Sequence, residues 1–311
     1  MASPSIESVA ADAWPALPLD QWRETYATLH MWTQVAGKLA LALSPLTNHY
    51  WNTALQITPR GLATLPLMLD RRLVTVTFDF ISQQLAVECS DGRHAAVSLA
   101  PRSVAEFYRL VTEALARLDV RARIWTKPVE FANPIRFEAD TVHRSYDPAA
   151  ARACWQVLVQ IKRVLEPFRS RFVGKTSPVH FWWGSFDLAH TRFSGRRAPV
   201  HPGGLPNLAD FVTREAYSHE CISVGWWPGG GFAPIVEPAF YAYAYPEPPG
   251  CPDAVIAPAA ASYDIRMHEW ILPYEAVRRA PDPDAAVLEF AQSTYAAAAD
   301  LGGWERALLE R

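Results

Sequence analysis

Two segments of this 311-residue chain, 133 residues apart, share the same landmarks at the same spacing. Trp22 lies 22 positions before Ser44-Pro45, and Trp155 lies 22 positions before Ser177-Pro178. An aromatic segment with His and Trp follows each Ser-Pro, and a helix-like segment comes later in both copies. A single duplication would place two equivalent sheets about a pseudo-twofold axis. The sequence therefore predicts two related units, each a helix, an antiparallel sheet and a second helix.

Composition narrows the class of protein. Half of the residues are hydrophobic, a fifth are charged, and the net charge is −3 with both signs interspersed, so we expect no nucleic-acid or anionic-membrane partner. No apolar run reaches membrane-spanning length, and the acidic segment 1–13 does not have the pattern of a signal peptide. The four cysteines form no Cys-x-x-Cys pair, which favours reduced thiols and a cytoplasmic location.

Local patterns define the elements and the fold class. Val74, Val76 and Phe78 alternate with polar residues as in a strand, and Asp91-Gly92 between two apolar alternations predicts a hairpin. Ser103 with Glu106 forms a capping box that should open a helix. A first helix is expected to end at Gly37, and segment 39–43 suits either a half-buried strand or a continued helix. A short strand is expected over 121–126. Runs of neighbouring strands between helices predict an α+β fold.

Loss of periodicity marks the boundary between the two units. Pro128 and Asn133-Pro134 interrupt the pattern, and Asp147-Pro148 then begins a long helix. We therefore predict an N-terminal α+β unit over 1–130, a linker over 131–147 and a C-terminal α+β unit over 148–311 that carries the pocket.

Side-chain alternation in three C-terminal strands predicts that pocket. A strand over 179–191 would turn Trp183, Ser185 and Asp187 toward one face. A hairpin centred near Phe232 would oppose three pairs of residues on its two strands. These pairs are Ser223 with Tyr241, Cys221 with Tyr243, and His219 with Tyr245. Adding Glu237, the sequence predicts one hollow with Asp187, His219 and Glu237 as catalytic candidates, and with five candidate ligand-binding residues: Trp183, Ser185, Tyr241, Tyr243 and Tyr245.

Each of these residues also has a structural interpretation. The aromatic residues could be core, since aromatic side chains bury large areas, and a tyrosine ladder is common cross-strand packing. A single histidine on a strand is more often hydrogen-bonded structure than a catalyst. Asp187 could pair with Arg192 or Arg196 as an ion pair of small energetic value.

Familiar chemical motifs are absent or out of context. Gly174-Lys175-Thr176 resembles the end of a phosphate-binding loop, but Arg169 stands where the first glycine is required. Neither His219-Glu220 nor His268-Glu269 continues as a zinc-protease motif, and no Gly-x-Ser-x-Gly is present. The sequence therefore identifies neither a metal nor a cofactor, and it leaves open a metal ion held by His219 and carboxylates.

Several longer motifs carry a family resemblance. These are Leu29–Gln34 (LHMWTQ), Ser177–Gly195 (SPVHFWWGSFDLAHTRFSG), His201–Gly204 (HPGG), Arg214–Glu220 (REAYSHE) and Glu237–Pro248 (EPAFYAYAYPEP). Together they resemble a bacterial family catalogued as a domain of unknown function, family 5996. The likeness spans nearly the whole chain and implies no activity, cofactor or catalytic residue.

Three functional hypotheses follow. The first is an enzyme that acts on a small polar or aromatic molecule, with His219 as acid or base and Asp187 or Glu237 as its carboxylate partner. The second is a non-catalytic protein that binds a sugar or a flat metabolite against the aromatic residues. The third is an interaction module in which the aromatic surface forms a homodimer or another interface.

Overall fold

The computed structural model describes residues 13–230 and 235–311. The prediction for segment 1–13, apart from Ala13 itself, and the prediction of a hairpin tip at Phe232 therefore lie outside the described residues. Two six-stranded antiparallel sheets and seven α-helices make up the described chain, which confirms the α+β class. Along the chain, a long helix precedes the first sheet, two helices separate the two sheets, and another long helix follows the second sheet.

The first sheet and its helices come from the N-terminal half. The helices are α1 (Leu19–Leu43) and α2 (Val104–Arg117), and the strands are β1 (Gln56–Thr58), β2 (Gly61–Ala63), β3 (Leu67–Leu69), β4 (Arg72–Asp79), β5 (Gln84–Cys89) and β6 (His94–Ser98). The sheet order is β1-β2-β4-β5-β6, and β3 also pairs with β4. The Ser103 N-cap is confirmed, because its side chain accepts a hydrogen bond from the Glu106 N–H, whereas the Glu106 carboxylate lies 3.6 Å from Arg102.

The second sheet lies against α3 (Pro148–Ser170) and α6 (Pro283–Leu301). Its order is β11-β12-β10-β9-β8-β7. The strands are β7 (His180–Trp182), β8 (Asp187–Arg197), β9 (His219–Trp227), β10 (Ala239–Tyr245), β11 (Ser262–Asp264) and β12 (Glu269–Pro273). The short helices are α4 (Asp210–Ala216), α5 (Tyr274–Arg278) and α7 (Arg306–Leu309).

The edges of the two sheets meet. Leu55, beside β1, and Phe181 of β7 exchange two backbone hydrogen bonds of 2.8 Å. One continuous hydrophobic core contains residues of both sheets and of segment 131–147, including Phe137 and Tyr146. Both halves thus have the order helix, six-stranded sheet, helix. The duplication and the predicted unit boundaries themselves stay predictions.

Two predicted elements are wrong. Helix α1 does not end at Gly37 but continues to Leu43, because Gly37 lies under the Trp183 ring: a β-carbon there would lie 2.2 Å from the indole. Segment 121–126 is not a strand, since none of the described strands pairs with it. Its alternation of apolar and basic residues reflects packing over α1 and α2 rather than sheet pairing.

Candidate functional site

A tight turn places Asp187 at the start of β8. The predicted single strand over 179–191 is in fact a hairpin in which Trp182 of β7 pairs with Asp187. The turn is possible because Phe186 takes a left-handed backbone conformation with φ 60°. Asp187 is buried, and Ser185 donates a 2.7 Å hydrogen bond to its Oδ1.

Tyr241 reaches the same carboxylate from two strands away. The register pairs Tyr241 of β10 with Gly225 of β9, and Gly225 with Ala189 of β8. Because Gly225 has no side chain, the Tyr241 ring crosses over it, and a β-carbon there would lie 2.4 Å from the phenol. The Tyr241 hydroxyl donates a short hydrogen bond to Asp187 Oδ2.

A loop of the N-terminal half brings a second carboxyl group to this position. Glu130 has φ 63° and a half-buried side chain that lies against Gly184, where a β-carbon would be 2.0 Å from Glu130 Oε1. Gln34 of α1 holds the loop through two hydrogen bonds to the Val129 backbone, of 2.9 and 3.0 Å. The Glu130 N–H donates to Pro206 O at 2.8 Å. Contacts with Gln34 and with Pro206 therefore hold Glu130 in its left-handed backbone conformation.

A third carboxyl group, that of Glu269, begins β12 on the opposite side of the site. Burial, together with the smaller effect of the negative charge of Asp187, raises the pKa of Glu130 to about 7 and that of Glu269 to about 8. Burial also raises the pKa of Asp187, against the hydrogen bonds from Tyr241 and Ser185. Among the described residues, none of the three carboxyl groups forms a salt bridge. Carboxyl groups that keep protons near neutral pH can serve as general acids or bases.

Tyrosines extend the site along the same face. The rings of Tyr241 and Tyr243 stack at 6.1 Å, and the hydroxyl of Tyr243 lies 2.9 Å from that of Tyr217, just after α4. Tyr245 packs edge-on against Tyr217 at 5.1 Å, and His201 stacks on Tyr217 at 4.8 Å. These five rings are all half-buried, so each keeps part of its surface in contact with solvent.

The structure does not bring His219 to Asp187. Leu188, the neighbour of Asp187, pairs with Trp226, and His219 lies seven residues further along β9, a separation of roughly 23 Å. His219 instead lies beside His49, with ring centroids 5.9 Å apart. The predicted Asp187–His219 pair is therefore wrong: the two side chains share a face but not a position along it.

Glu237 and Trp183 also lie outside the site. Glu237 is exposed and precedes the first residue of β10, Ala239. Trp183 is buried in the core over Gly37, and its Nε1 donates to Thr53 O at 2.9 Å. Its side chain faces α1 because it belongs to the β7–β8 turn and not to a continuous strand.

For β9 and β10 the predicted strand parity is correct, but the predicted hairpin register is not. In the structure Tyr241 pairs with Gly225, Tyr243 with Ser223, and Tyr245 with Cys221. The shift equals two residues, so every side chain keeps its predicted face. The ion-pair interpretation of Asp187 is wrong as well, because Arg196 pairs with Glu220 and Arg192 is buried against Phe168.

Four site residues were missed by sequence reasoning: Glu130, His201, Tyr217 and Glu269. Tyr217 and His201 belong to motifs that carry the family resemblance, and Glu269 was considered only as part of a zinc motif. Nothing local marks Glu130. Over residues 13–230 and 235–311, no group of three His, Cys, Asp or Glu side chains could hold a metal ion.

Other features of the described chain bear on the earlier expectations. The four cysteines are buried and unpaired. In the part of the chain that the structure describes, no helix has the length and apolar character needed to cross a membrane. Two surface cavities of about 440 and 490 Å³ lie in the N-terminal half, the first between α1, α2 and residues 120–124, away from Asp187.

Fold and site together define an α+β protein with two antiparallel sheets and a tyrosine-lined acidic cluster on the second. Residues 14–311 match the family described as "Family of unknown function (DUF5996)", and the chain belongs to that family. No curated protein and no solved structure matches the chain. The family supplies no activity, so function has to be argued from the site.

The carboxyl groups should make stability fall as pH rises. In the unfolded chain Glu130 and Glu269 lose their protons near the ordinary pKa of 4.5, whereas in the folded protein they keep them to about 7 and 8. Between pH 4.5 and pH 8 the folded state binds more protons than the unfolded state. The stabilisation that these carboxyl groups contribute is therefore complete below pH 4.5 and is lost as pH approaches 8. Glu269→Gln should therefore flatten this dependence and stabilise the protein at pH 8 by about 1 kcal/mol, after allowance for partial exposure.

Urea unfolding at pH 5, 6, 7 and 8 measures this effect. The matched control is Glu237→Gln, which removes a carboxyl group that is exposed and should leave the slope unchanged. A Glu269→Gln slope equal to that of the unchanged protein would show that this carboxyl group ionises normally.

Proposed function

We propose that the C-terminal sheet carries the active site of an enzyme that transfers protons to or from a small polar ligand. The observation that carries this proposal is the pair of carboxyl groups around Ser185. Its hydroxyl donates to Asp187 at 2.7 Å, and the Glu130 side chain lies against Gly184, the residue before Ser185. A hydroxyl has one proton and can donate to only one carboxylate at a time. Because Ser185 gives its only proton to Asp187, Glu130 keeps a proton of its own. That proton is available for transfer to a ligand.

The two carboxyl groups have different surroundings, and this difference supports separate roles. Asp187 accepts hydrogen bonds from Ser185 and Tyr241, which favour its charged form. Glu130 has a pKa near 7 and lies on a loop at the edge of the site. Asp187 would then be the anion that orients the ligand, and Glu130 the acid or base. Tyr241 and Tyr243 would supply ring surface and hydroxyl groups for the ligand.

The charge of the site favours a ligand with a basic nitrogen. The Tyr241 hydroxyl contacts Asp187, its ring stacks on that of Tyr243, and none of the three carboxyl groups forms a salt bridge in the described chain. A cation beside aromatic faces and carboxylates gains from both. The same features also support a second function, a non-catalytic protein that binds an organic amine, in which the carboxyl groups only neutralise the ligand.

A thermal-shift panel tests the proposal. We expect small organic amines and amino sugars to raise the melting temperature at pH 7, and matched carboxylic acids at the same ionic strength to leave it unchanged. Any stabilising amine is then incubated with the protein and examined by mass spectrometry. A changed ligand supports the enzyme, and an unchanged one supports the binding protein. If acids stabilise as well as amines, the acidic cluster is not the ligand site.

A further inference from the structure

A second polar cluster lies at the other end of the same sheet face, where the two halves of the chain meet. His49, from the segment after α1, is buried, and its Nδ1 lies 2.9 Å from Ala216 O and 3.1 Å from Glu215 O. Carbonyl oxygens only accept hydrogen bonds, so Nδ1 carries the proton and Nε2 is an acceptor. Lys175 Nζ lies 2.6 Å from Nε2. The lysine is therefore the donor in this contact.

The backbone around His49 is strained in a way that fixes the imidazole. His49 and Tyr50 both have left-handed conformations, with φ 57° and 59°. Two such residues in sequence, neither of them glycine, are costly and persist only where surrounding contacts hold them. One of these contacts is the His49 N–H, which donates to Glu215 Oε1 at 3.2 Å. The Glu215 carboxylate therefore already accepts a hydrogen bond from the His49 backbone.

Lys175 has no carboxylate in direct contact. Its Nζ lies 5.7 Å from the centre of the Trp51 ring and 5.1 Å from that of Phe193. Within residues 13–230 and 235–311 it forms no salt bridge, and the acidic residue that influences it, Glu215, acts from a longer distance. Of the three protons of the ammonium group, His49 accepts one. The other two ammonium protons have no carboxylate partner in the described chain, and the Lys175 side chain is half-exposed.

His219 and Arg197 add two more donors at the same position. They pair across β8 and β9, so their side chains lie on one face of the sheet. His219 Nδ1 lies 3.1 Å from Ser218 Oγ, and its Nε2 has no hydrogen-bond partner in the described chain. Arg197 is exposed. Burial lowers the pKa of His219, the positive charges of Lys175 and Arg197 also lower it, and the negative charge of Glu215 raises it. These groups therefore share one neighbourhood.

We propose that Lys175, His219 and Arg197 form a binding site for an anionic oxygen group, a phosphate or a carboxylate. An anion there would receive hydrogen bonds from an ammonium, an imidazole and a guanidinium group and would offset a positive charge that now has no direct partner. The site lies roughly 23 Å along the sheet from Asp187, so it is separate from the proposed active site. The site lies where His49 and Trp51 of the N-terminal half contact the C-terminal half of the chain.

Inorganic phosphate and acetate are the probes, and they separate the two sources of the oxygen group. Melting temperature is measured against rising concentrations of each, with sodium chloride keeping the ionic strength constant. We expect at least one of them to stabilise the protein, and isothermal titration calorimetry to show saturable binding. Stabilisation by phosphate alone indicates a phosphate site, and stabilisation by acetate alone a carboxylate site. If neither exceeds chloride, the proposal is wrong.

Lys175→Met should weaken binding of the effective probe at least about tenfold, because a charged donor is lost. Lys127→Met is the matched control, since it removes the same charge from a half-buried lysine outside the cluster, and it should bind as the unchanged protein does. Far-UV circular dichroism checks the fold of each variant. If Lys175→Met does not fold, His219→Gln and Arg197→Gln decide, each with an expected loss of about fivefold. Unchanged binding in the folded variants would overturn the assignment.

Discussion

Replacing Asp187 with Asn should reduce any turnover at the C-terminal site at least about a hundredfold. The substitution keeps the size of the side chain but removes the charge that two neighbours now stabilise. Ser185 and Tyr241 both donate to this carboxylate. An asparagine has one acceptor oxygen, so its amide N–H₂ would face one of these donors, and the ligand would lose its anionic partner. Affinity for amines identified in the thermal-shift panel should fall at least about tenfold.

Kinetic and binding measurements together separate the possible origins of that loss. Tyr241→Phe removes one hydrogen bond to Asp187 and should have a smaller effect of the same kind. Glu237→Gln removes a carboxyl group that lies outside the site and should change neither kcat/KM nor affinity. An Asp187→Asn variant that folds and still turns over or binds like the unchanged protein would exclude this residue from the function.

Features that depend on a few neighbouring residues could be predicted from the sequence. The Ser103–Glu106 capping contact and the hairpin at Asp91-Gly92 both occur as expected. Each is determined within one turn or one strand, where backbone preferences and alternation of side chains act directly. Parity also placed Tyr241 on the face of β10 from which it reaches Asp187, whereas Ser185 lies in the β7–β8 turn and reaches Asp187 without strand alternation.

Features that depend on distant parts of the chain could not be predicted. The turn at Phe186 interrupts an apolar segment that reads as one strand, because a left-handed phenylalanine has no local signal. Gly37 reads as the end of a helix, although its role is to admit Trp183. Glu130 reaches Asp187 only because Gln34 fixes its loop. Parity assigned His219 to the correct face, but alternation carries no information about position along the strand.

The geometry of the Asp187 site depends on one glycine. A β-carbon at Gly225 would lie 2.4 Å from Leu188 O and 2.4 Å from the Cζ and hydroxyl of Tyr241. Leu188 O is backbone and cannot move without disturbing the pairing of β8 with β9. The Tyr241 ring cannot move without leaving Asp187. Gly225→Ala should therefore destabilise the protein by about 2–4 kcal/mol in urea unfolding.

A matched control and a double-mutant cycle show which neighbour is responsible. Ala96→Val adds side-chain volume to a strand at an exposed position and should change stability by less than about 0.5 kcal/mol. Gly225→Ala is then combined with Tyr241→Ala. If the ring crosses Gly225 as described, its removal relieves part of the clash, and the two effects are not additive. The destabilisation that remains in the double variant is caused by the clash with Leu188 O. Fully additive effects would mean that Tyr241 does not lie over Gly225, and the route by which its hydroxyl reaches Asp187 would then be wrong as well.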